Sequence, residues 1–183
     1  MEKVVQEGKA RNIGVSNFAP KDVDLILEVC DICPYAHEFE THPYLQQQGW
    51  VDWHLEQGIN VIAYSPLANT NPHYKSPKDI PSILDDPLWK DLAKEKNSTT
   101  AQAVLAWGLE RGTVVIPKAV HEGFIKENWK SYAEGIHFTA EEMKEVGEND
   151  RKTRMNDPGK SWGVDLFKGL DDPTHLHDES LEL

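Results

Sequence analysis

Short apolar runs alternate with amphipathic stretches along the chain, a pattern that predicts parallel βα units. Residues 11–16 read as a first strand that ends in a polar tip, Ser16 and Asn17. Pro20 suits the first position of a helix. Val23, Ile26, Leu27 and Cys30 then recur at i, i+3, i+4 and i+7, one face of that helix. Residues 36–41 alternate as a second strand, with Glu38 and Glu40 on the face opposite His37 and Phe39. Carboxylates on a strand point to a face that lines a site. A helix over 48–57 carries Trp50, Trp53 and Leu55 and stops at Gly58, and residues 60–65 form a third strand.

The second part of the chain repeats the alternation after a polar loop. Residues 69–83 hold three prolines and read as that surface loop. Asp86 caps a helix that starts at Pro87 and turns Leu88, Trp89, Leu92 and Ala93 inward. Thr99 and Gln102 make a capping box for the next helix, whose face is Ala101, Val104, Leu105 and Gly108. A fourth strand spans 113–117, a short helix follows over 122–130, and Thr139 with Glu142 caps a last helix. From Arg151 the pattern is irregular, with Trp162 and Phe167 as its large anchors. The chain thus divides into an α/β unit over 1–150 and an irregular acidic tail over 151–183. Four strands cannot close a (β/α)8 barrel, which takes about 250 residues; the pattern is half of one.

Composition narrows the partners. The 183 residues are 39% hydrophobic and 27% charged, ordinary for a globular domain. The net charge of −12, with five carboxylates and no Lys or Arg in 171–183, repels nucleic acid and anionic membranes. Any anion site must therefore be built locally. No run of 18 apolar residues spans a membrane, and residues 1–12 carry no apolar leader, so a cytoplasmic location is expected.

Cys30 and Cys33 stand in the spelling CDIC, with His37 and His42 downstream. The spacing imitates a metal array or a thioredoxin-like pair. The plainer reading ends the apolar helix face at Cys30 and puts Cys33 in the turn before a strand. Reduced thiols fit the cytoplasmic expectation.

Four stretches carry a resemblance: GKARNIGVSNF (8–18), ETHPYLQQ (40–47), IAYSPLA (62–68) and TVVIPKAVHEGFIKEN (113–128). In order and spacing, with the helices of 86–112 between them, they resemble the aldo-keto reductase family over about residues 4–150. The resemblance implies a (β/α)8 barrel that reduces aldehydes and ketones with NADPH, less often NADH. It implies the C-terminal half of that barrel, strands five to eight. The family's catalytic Asp, Tyr, Lys and His lie in the first half, so no catalytic residue is assigned here. His42 and Tyr44 fall in the family's HPY scaffold motif.

The cofactor contacts, by contrast, match. Ser16 and Asn17 match the pair that holds the nicotinamide carboxamide, and Tyr64 matches the Tyr that stacks on the ring. Ser65, Pro66 and Leu67 match the turn along the pyrophosphate. Lys118 matches the cation for the adenosine phosphate, and Glu127 and Asn128 match residues that hold the adenine. Three positions depart. The family's Asn-Gln pair is His37-Glu38, so Glu38 can accept from the carboxamide but not donate to it. Ala119 replaces a phosphate-binding Ser. Phe124 replaces an Arg; it can stack but cannot pair a 2′-phosphate. NADPH preference is expected to weaken and NADH use to become possible.

Each residue also has a plainer account: a capping turn at Ser16-Asn17, core aromatics at Tyr64 and Phe124, a solvated cation at Lys118. Taken together in family order, an inherited cofactor cleft accounts for them better. A half-barrel exposes two strand edges and an apolar face. Self-association, or a complementary first half, is therefore expected, with a small carbonyl or alcohol substrate once completed. Two other readings stand beside the reductase. One is a catalytically silent nucleotide-binding or interaction module. The other is a shortened product, favoured because residues 1–10 look like the tail of a helix.

Overall fold

The structure, a computed structural model, describes residues 1–70, 80–167 and 169–170. Its elements run α1 (Glu2–Gln6), β1 (Gly14–Ser16), α2 (Pro20–Leu27), β2 (Ala36–Glu40), α3 (Gln48–Glu56), β3 (Asn60–Tyr64), α4 (Pro87–Glu95), α5 (Thr100–Glu110), β4 (Val114–Val115), α6 (Glu122–Ala133), α7 (Ala140–Glu148) and α8 (Gly159–Trp162). Short 3-10 turns occupy Ala68–Thr70 and Ile83–Asp85. The strands form one sheet in the order β1-β2-β3-β4. β1 and β2 pair in parallel, with Gly14 opposite Ala36, Val15 opposite His37 and Ser16 opposite Glu38. A helix lies in every connection between neighbouring strands, the crossover that parallel pairing needs.

The chain packs as two compact units. The first comprises Met1–Phe39, Gln47–Ile62 and the chain from Asp157 onward. Its core is Val23, Phe39, Trp50, Val51, Val61 and Leu170, with Phe167 packed against it. The second comprises Glu40–Gln46 and Ala63–Asn156. Tyr44, Ile83, Trp89, Leu92, Val104 and Trp107 lead its core. Each fully buried large apolar side chain contributes about 1.5–3 kcal/mol.

The caps form as the sequence predicts. The Asp86 carboxylate accepts from the Leu88 N–H at 3.0 Å. Thr99 with Gln102 and Thr139 with Glu142 close reciprocal capping boxes. Three details differ. In α3 the inward residues are Trp50, Val51 and His54, while Leu55 is exposed. α5 is buried all round from Gln102 to Gly108 rather than along one face. A Cβ at Gly108 would meet Val115 Cγ1 at 2.7 Å, so a larger residue there would force Val115 to shift. β4 shrinks to two residues, as Pro117 has no N–H to extend the ladder.

In the tail, Trp162 is exposed, whereas Phe167 and Leu170 pack into the first unit. Most of the polar loop (71–79) and the acidic segment 171–183 lie outside the described residues. Among the described residues no helix is long and apolar enough to cross a membrane.

Candidate cofactor site

In the first unit the candidate residues sit at the C-terminal end of β1 and in the middle of β2. Ser16 closes β1 with an exposed side chain, in register with half-buried Glu38. Asn17 follows in the left-handed region (φ 56°), a conformation Asn tolerates better than most residues. Its N–H donates to the Glu38 carbonyl at 2.9 Å, and its side-chain amide donates to Ser16 Oγ at 3.2 Å. The turn is therefore not a helix cap; that place belongs to Ala19, whose N–H donates to the Asp22 carboxylate.

The next backbone amide opens a buried chain of hydrogen bonds. Phe18 N–H donates to His37 Nε2 at 3.0 Å. His37 Nδ1 lies 2.8 Å from His54 Nε2, and His54 Nδ1 lies 2.7 Å from the Trp50 carbonyl. An amide can only donate and a carbonyl can only accept, so the partners assign both tautomers. His37 carries its proton on Nδ1 and gives it to His54 Nε2; His54 carries its own on Nδ1 and gives it to Trp50. Both rings are fully buried. Burial, and then the neighbouring His54, holds His37 down to about 3. Burial holds His54 down to about 4, against the pull of the Trp50 carbonyl. The two neutral rings thus fix the backbone just after Asn17. Alternation put His37 on the face of Phe39, opposite Glu38 and Glu40; no spacing rule pairs it with residue 54.

In the second unit Tyr64 ends β3, half-buried, and so is not a core aromatic. Ser65 and Ala68 both adopt positive φ, 48° and 49°, and the Ala68 N–H donates to the Ser65 carbonyl at 2.8 Å. Pro66 is buried in this turn and Leu67 packs on the unit's core. Non-glycine residues in the left-handed region cost about 1–2 kcal/mol each, and such strain gathers at binding sites. Lys118 follows β4 and is exposed; Ala119 beside it is half-buried. α6 carries Phe124, 57% exposed and edge-on to His121 at 5.7 Å, so Phe124 is not a core residue either. Glu127 and Asn128 lie half-buried on the same helix. Gln102 Nε2 fastens α6 to α5 by donating to the Glu127 carbonyl at 3.2 Å.

These groups fit a nicotinamide dinucleotide in kind. The exposed Ser16 hydroxyl suits a carboxamide, the exposed ammonium of Lys118 a phosphate, and the open face of Phe124 a planar base.

The other strand carboxylate has a different role. Glu40 is fully buried in the second unit. It accepts from His42 Nε2 at 2.9 Å, Arg154 at 3.2 Å, the Met155 N–H at 2.7 Å and the Asn156 N–H at 3.1 Å. Burial pushes its pKa up, but His42, Arg154 and the Met155 amide outweigh burial and hold it below the usual range. Nearby, Tyr44 donates its hydroxyl to Asp86 at 2.8 Å, and Arg151 lies over its ring at 4.7 Å. Burial, then the Asp86 carboxylate, raises the Tyr44 pKa. His42 and Tyr44 are scaffold, as their motif implies.

The CDIC stretch departs from expectation. Cys30 and Cys33 are joined in a disulfide rather than held as thiols, because the turn after α2 brings their Cα atoms to 5.1 Å. With His37 bonded to Phe18 and His54, and His42 to Glu40, the metal-like spacing assembles nothing. Among the described residues no group of three or more His, Cys, Asp or Glu could hold a metal ion.

Comparison with known proteins accords with this picture. The model of the aldo/keto reductase family matches residues 1–151. An uncharacterized oxidoreductase of Schizosaccharomyces pombe is 38% identical over 174 residues, covering 94% of this chain and 52% of the relative. The NADP-dependent D-sorbitol-6-phosphate dehydrogenase of Malus domestica is 35% identical, covering 91% and 53%. A Bombyx mori aldo-keto reductase in complex with NADP superposes with a TM-score of 0.81 at 26% identity, covering 91% of this chain and 53% of its own. Another aldo-keto reductase, complexed with NADPH, gives the same score at 25% identity, covering 91% and 50%. The chain spans about half the length of the curated relatives it matches, and its four strands are part of a barrel. A four-stranded α/β sheet with these motifs at its strand ends, matched by one family model over residues 1–151, belongs to the aldo/keto reductase family.

Proposed function

We propose that this chain is the dinucleotide-binding half of an NAD(P)H-dependent reductase of aldehydes or ketones. The observation that carries the reading is the run of family cofactor positions at C-terminal strand ends. Ser16 closes β1 and Asn17 follows it, Tyr64 closes β3 and Ser65 to Leu67 follow it, and Lys118 lies beyond β4. Barrel sites are built at those ends. The cofactor supplies the hydride. The residues of this chain bind and orient it: Ser16, Asn17 and Glu38 hold the carboxamide, and Tyr64 covers the ring so that one face stays open to substrate. Ser65, Pro66 and Leu67 shape the turn along the pyrophosphate, Lys118 neutralises phosphate, and Phe124, Glu127 and Asn128 take the adenine. Phe124 and Ala119 leave a 2′-phosphate with fewer partners, so NADH should bind nearly as well as NADPH.

Proton transfer to the carbonyl belongs, on this reading, to the other half of the barrel. The exposed apolar residues of β4 and α6, among them Val114, Ile125, Trp129 and Tyr132, favour a complementary four-stranded half as the partner. That half can lie on the same polypeptide or on another. The test is a titration of the chain with NADPH and NADH, followed by tryptophan fluorescence, with its mass read by light scattering. Saturable quenching is expected near micromolar, with similar affinities for the two cofactors. A folded chain that binds neither would overturn the proposal.

A further inference from the structure

The disulfide is absorbed by neither the fold nor the cofactor site. A crosslink that spans three positions constrains the unfolded chain far less than a long-range one, so stabilisation at large is not what it contributes. Its surroundings are more specific. The two residues between the cysteines, Asp31 and Ile32, both donate their N–H groups to one oxygen, Glu2 Oε1, at 2.8 and 3.0 Å. Glu2 opens α1, and no residue of α1 is buried. The grip of this loop on Glu2 is thus a main attachment of that helix. Two amides converge on one oxygen only while the loop keeps its curvature, and the disulfide imposes that curvature.

Access and position decide which chemistry the pair serves. Cys33 is exposed, and Cys30 is half-buried. Cys30 lies beyond the C-terminal end of α2, whereas pairs that catalyse exchange sit at the positive N-terminal end of a helix. Exposed disulfides are the labile ones.

We infer that Cys30–Cys33 is a reversible thiol–disulfide exchange site for small thiols of the glutathione class, and that its state sets how firmly α1 is held through Glu2. In the reducing direction a small thiolate attacks the exposed Cys33 Sγ. The S–S bond breaks, and Cys30 leaves as a thiolate that takes a proton from water. A second small thiol then attacks the mixed disulfide, releasing the small disulfide and the Cys33 thiol. Two electrons pass from two small thiols to the protein, and oxidised glutathione reverses both steps.

The test equilibrates the full chain in glutathione buffers from reducing to oxidising. One portion is alkylated and weighed; the other is read by hydrogen exchange. The two cysteines are expected to interconvert together. In the reduced form the amides of α1, and those of Asp31 and Ile32, should exchange at least tenfold faster, with β3 unchanged. Glu2→Ala should keep the cysteine chemistry but leave α1 fast-exchanging in both states. Cysteines that stay in one state across all buffers would overturn the site. Interconversion that leaves α1 exchange unmoved would overturn the coupling, and the unmodified chain decides both outcomes if the variant does not fold.

Discussion

Acid should weaken this protein well above the pH at which its carboxylates titrate, and the cause is the chain from Phe18 through His37 and His54 to Trp50. Each ring accepts at one nitrogen and donates at the other. A proton added to either ring would set two donors against each other in a site closed to water. The native state therefore refuses protons until about pH 4 at His54 and about 3 at His37. The unfolded chain takes both near 6.5. Because the folded values lie below the unfolded one, the stabilisation is complete above pH 6.5 and is lost as the pH falls towards 4. With two protons in play the slope approaches about 2.7 kcal/mol per pH unit, and the loss between pH 7.5 and 5 is about 4 kcal/mol. That is a large share of the 5–15 kcal/mol typical of a domain. Glu40 and Glu142, whose values are lowered, contribute stability that is lost from the ordinary carboxylate range downward, so they add to the slope mainly below about pH 5.

Urea unfolding at pH 7.5, 6.5, 5.5 and 5 measures the slope, and the double variant His37→Asn/His54→Leu should flatten it by two protons. Nitrogen chemical shifts should find both rings protonated at Nδ1. A change below about 1 kcal/mol between pH 7.5 and 5, or an unaltered slope in the double variant, would refute the reasoning.

Three further outcomes are expected. Phe124→Arg should raise the affinity ratio of NADPH to NADH by about 10- to 150-fold, the equivalent of one charge-assisted bond, as read by fluorescence titration. Arg154→Ala should cost about 3–5 kcal/mol by stranding part of the Glu40 charge, seen as a lower urea midpoint without a change in slope. Gly14→Ala would put a Cβ 2.6 Å from the Ala36 carbonyl oxygen. The backbone must shift, so the melting temperature should fall by the equivalent of about 1–3 kcal/mol.

The local signals in the sequence translated well. Asp86, Thr99 and Thr139 start helices because a side-chain oxygen three or fewer residues from an unpaired amide is a purely local arrangement. Strand positions followed for the same reason. What the sequence hid were pairings across distance. Alternation put Glu38 and Glu40 on one face, yet Glu38 is half-buried beside Ser16 while Glu40 is sealed in by Arg154, over a hundred residues away. His37 and His54 looked unrelated. Cys30, Cys33, His37 and His42 looked related, but each finds its partner elsewhere or in its neighbour. Linear spacing reports neighbours along one helix or strand and is silent about which strand end meets which loop. Among the proposed cofactor positions, Phe124 was legible as a departure from the family's pattern; that its ring stands open on α6 needed the fold.

The Glu40 cluster also bears on where this protein can be cut. The family match ends at residue 151, an inviting place to end an expressed fragment. Three of the four groups that hold the Glu40 carboxylate come later, from Arg154, Met155 and Asn156. A fragment ending at 151 would keep the buried anion and discard its guanidinium and two amides. The shortest fragment that folds should therefore reach past Asn156, and a family boundary drawn by likeness of sequence stops short of one drawn by charge.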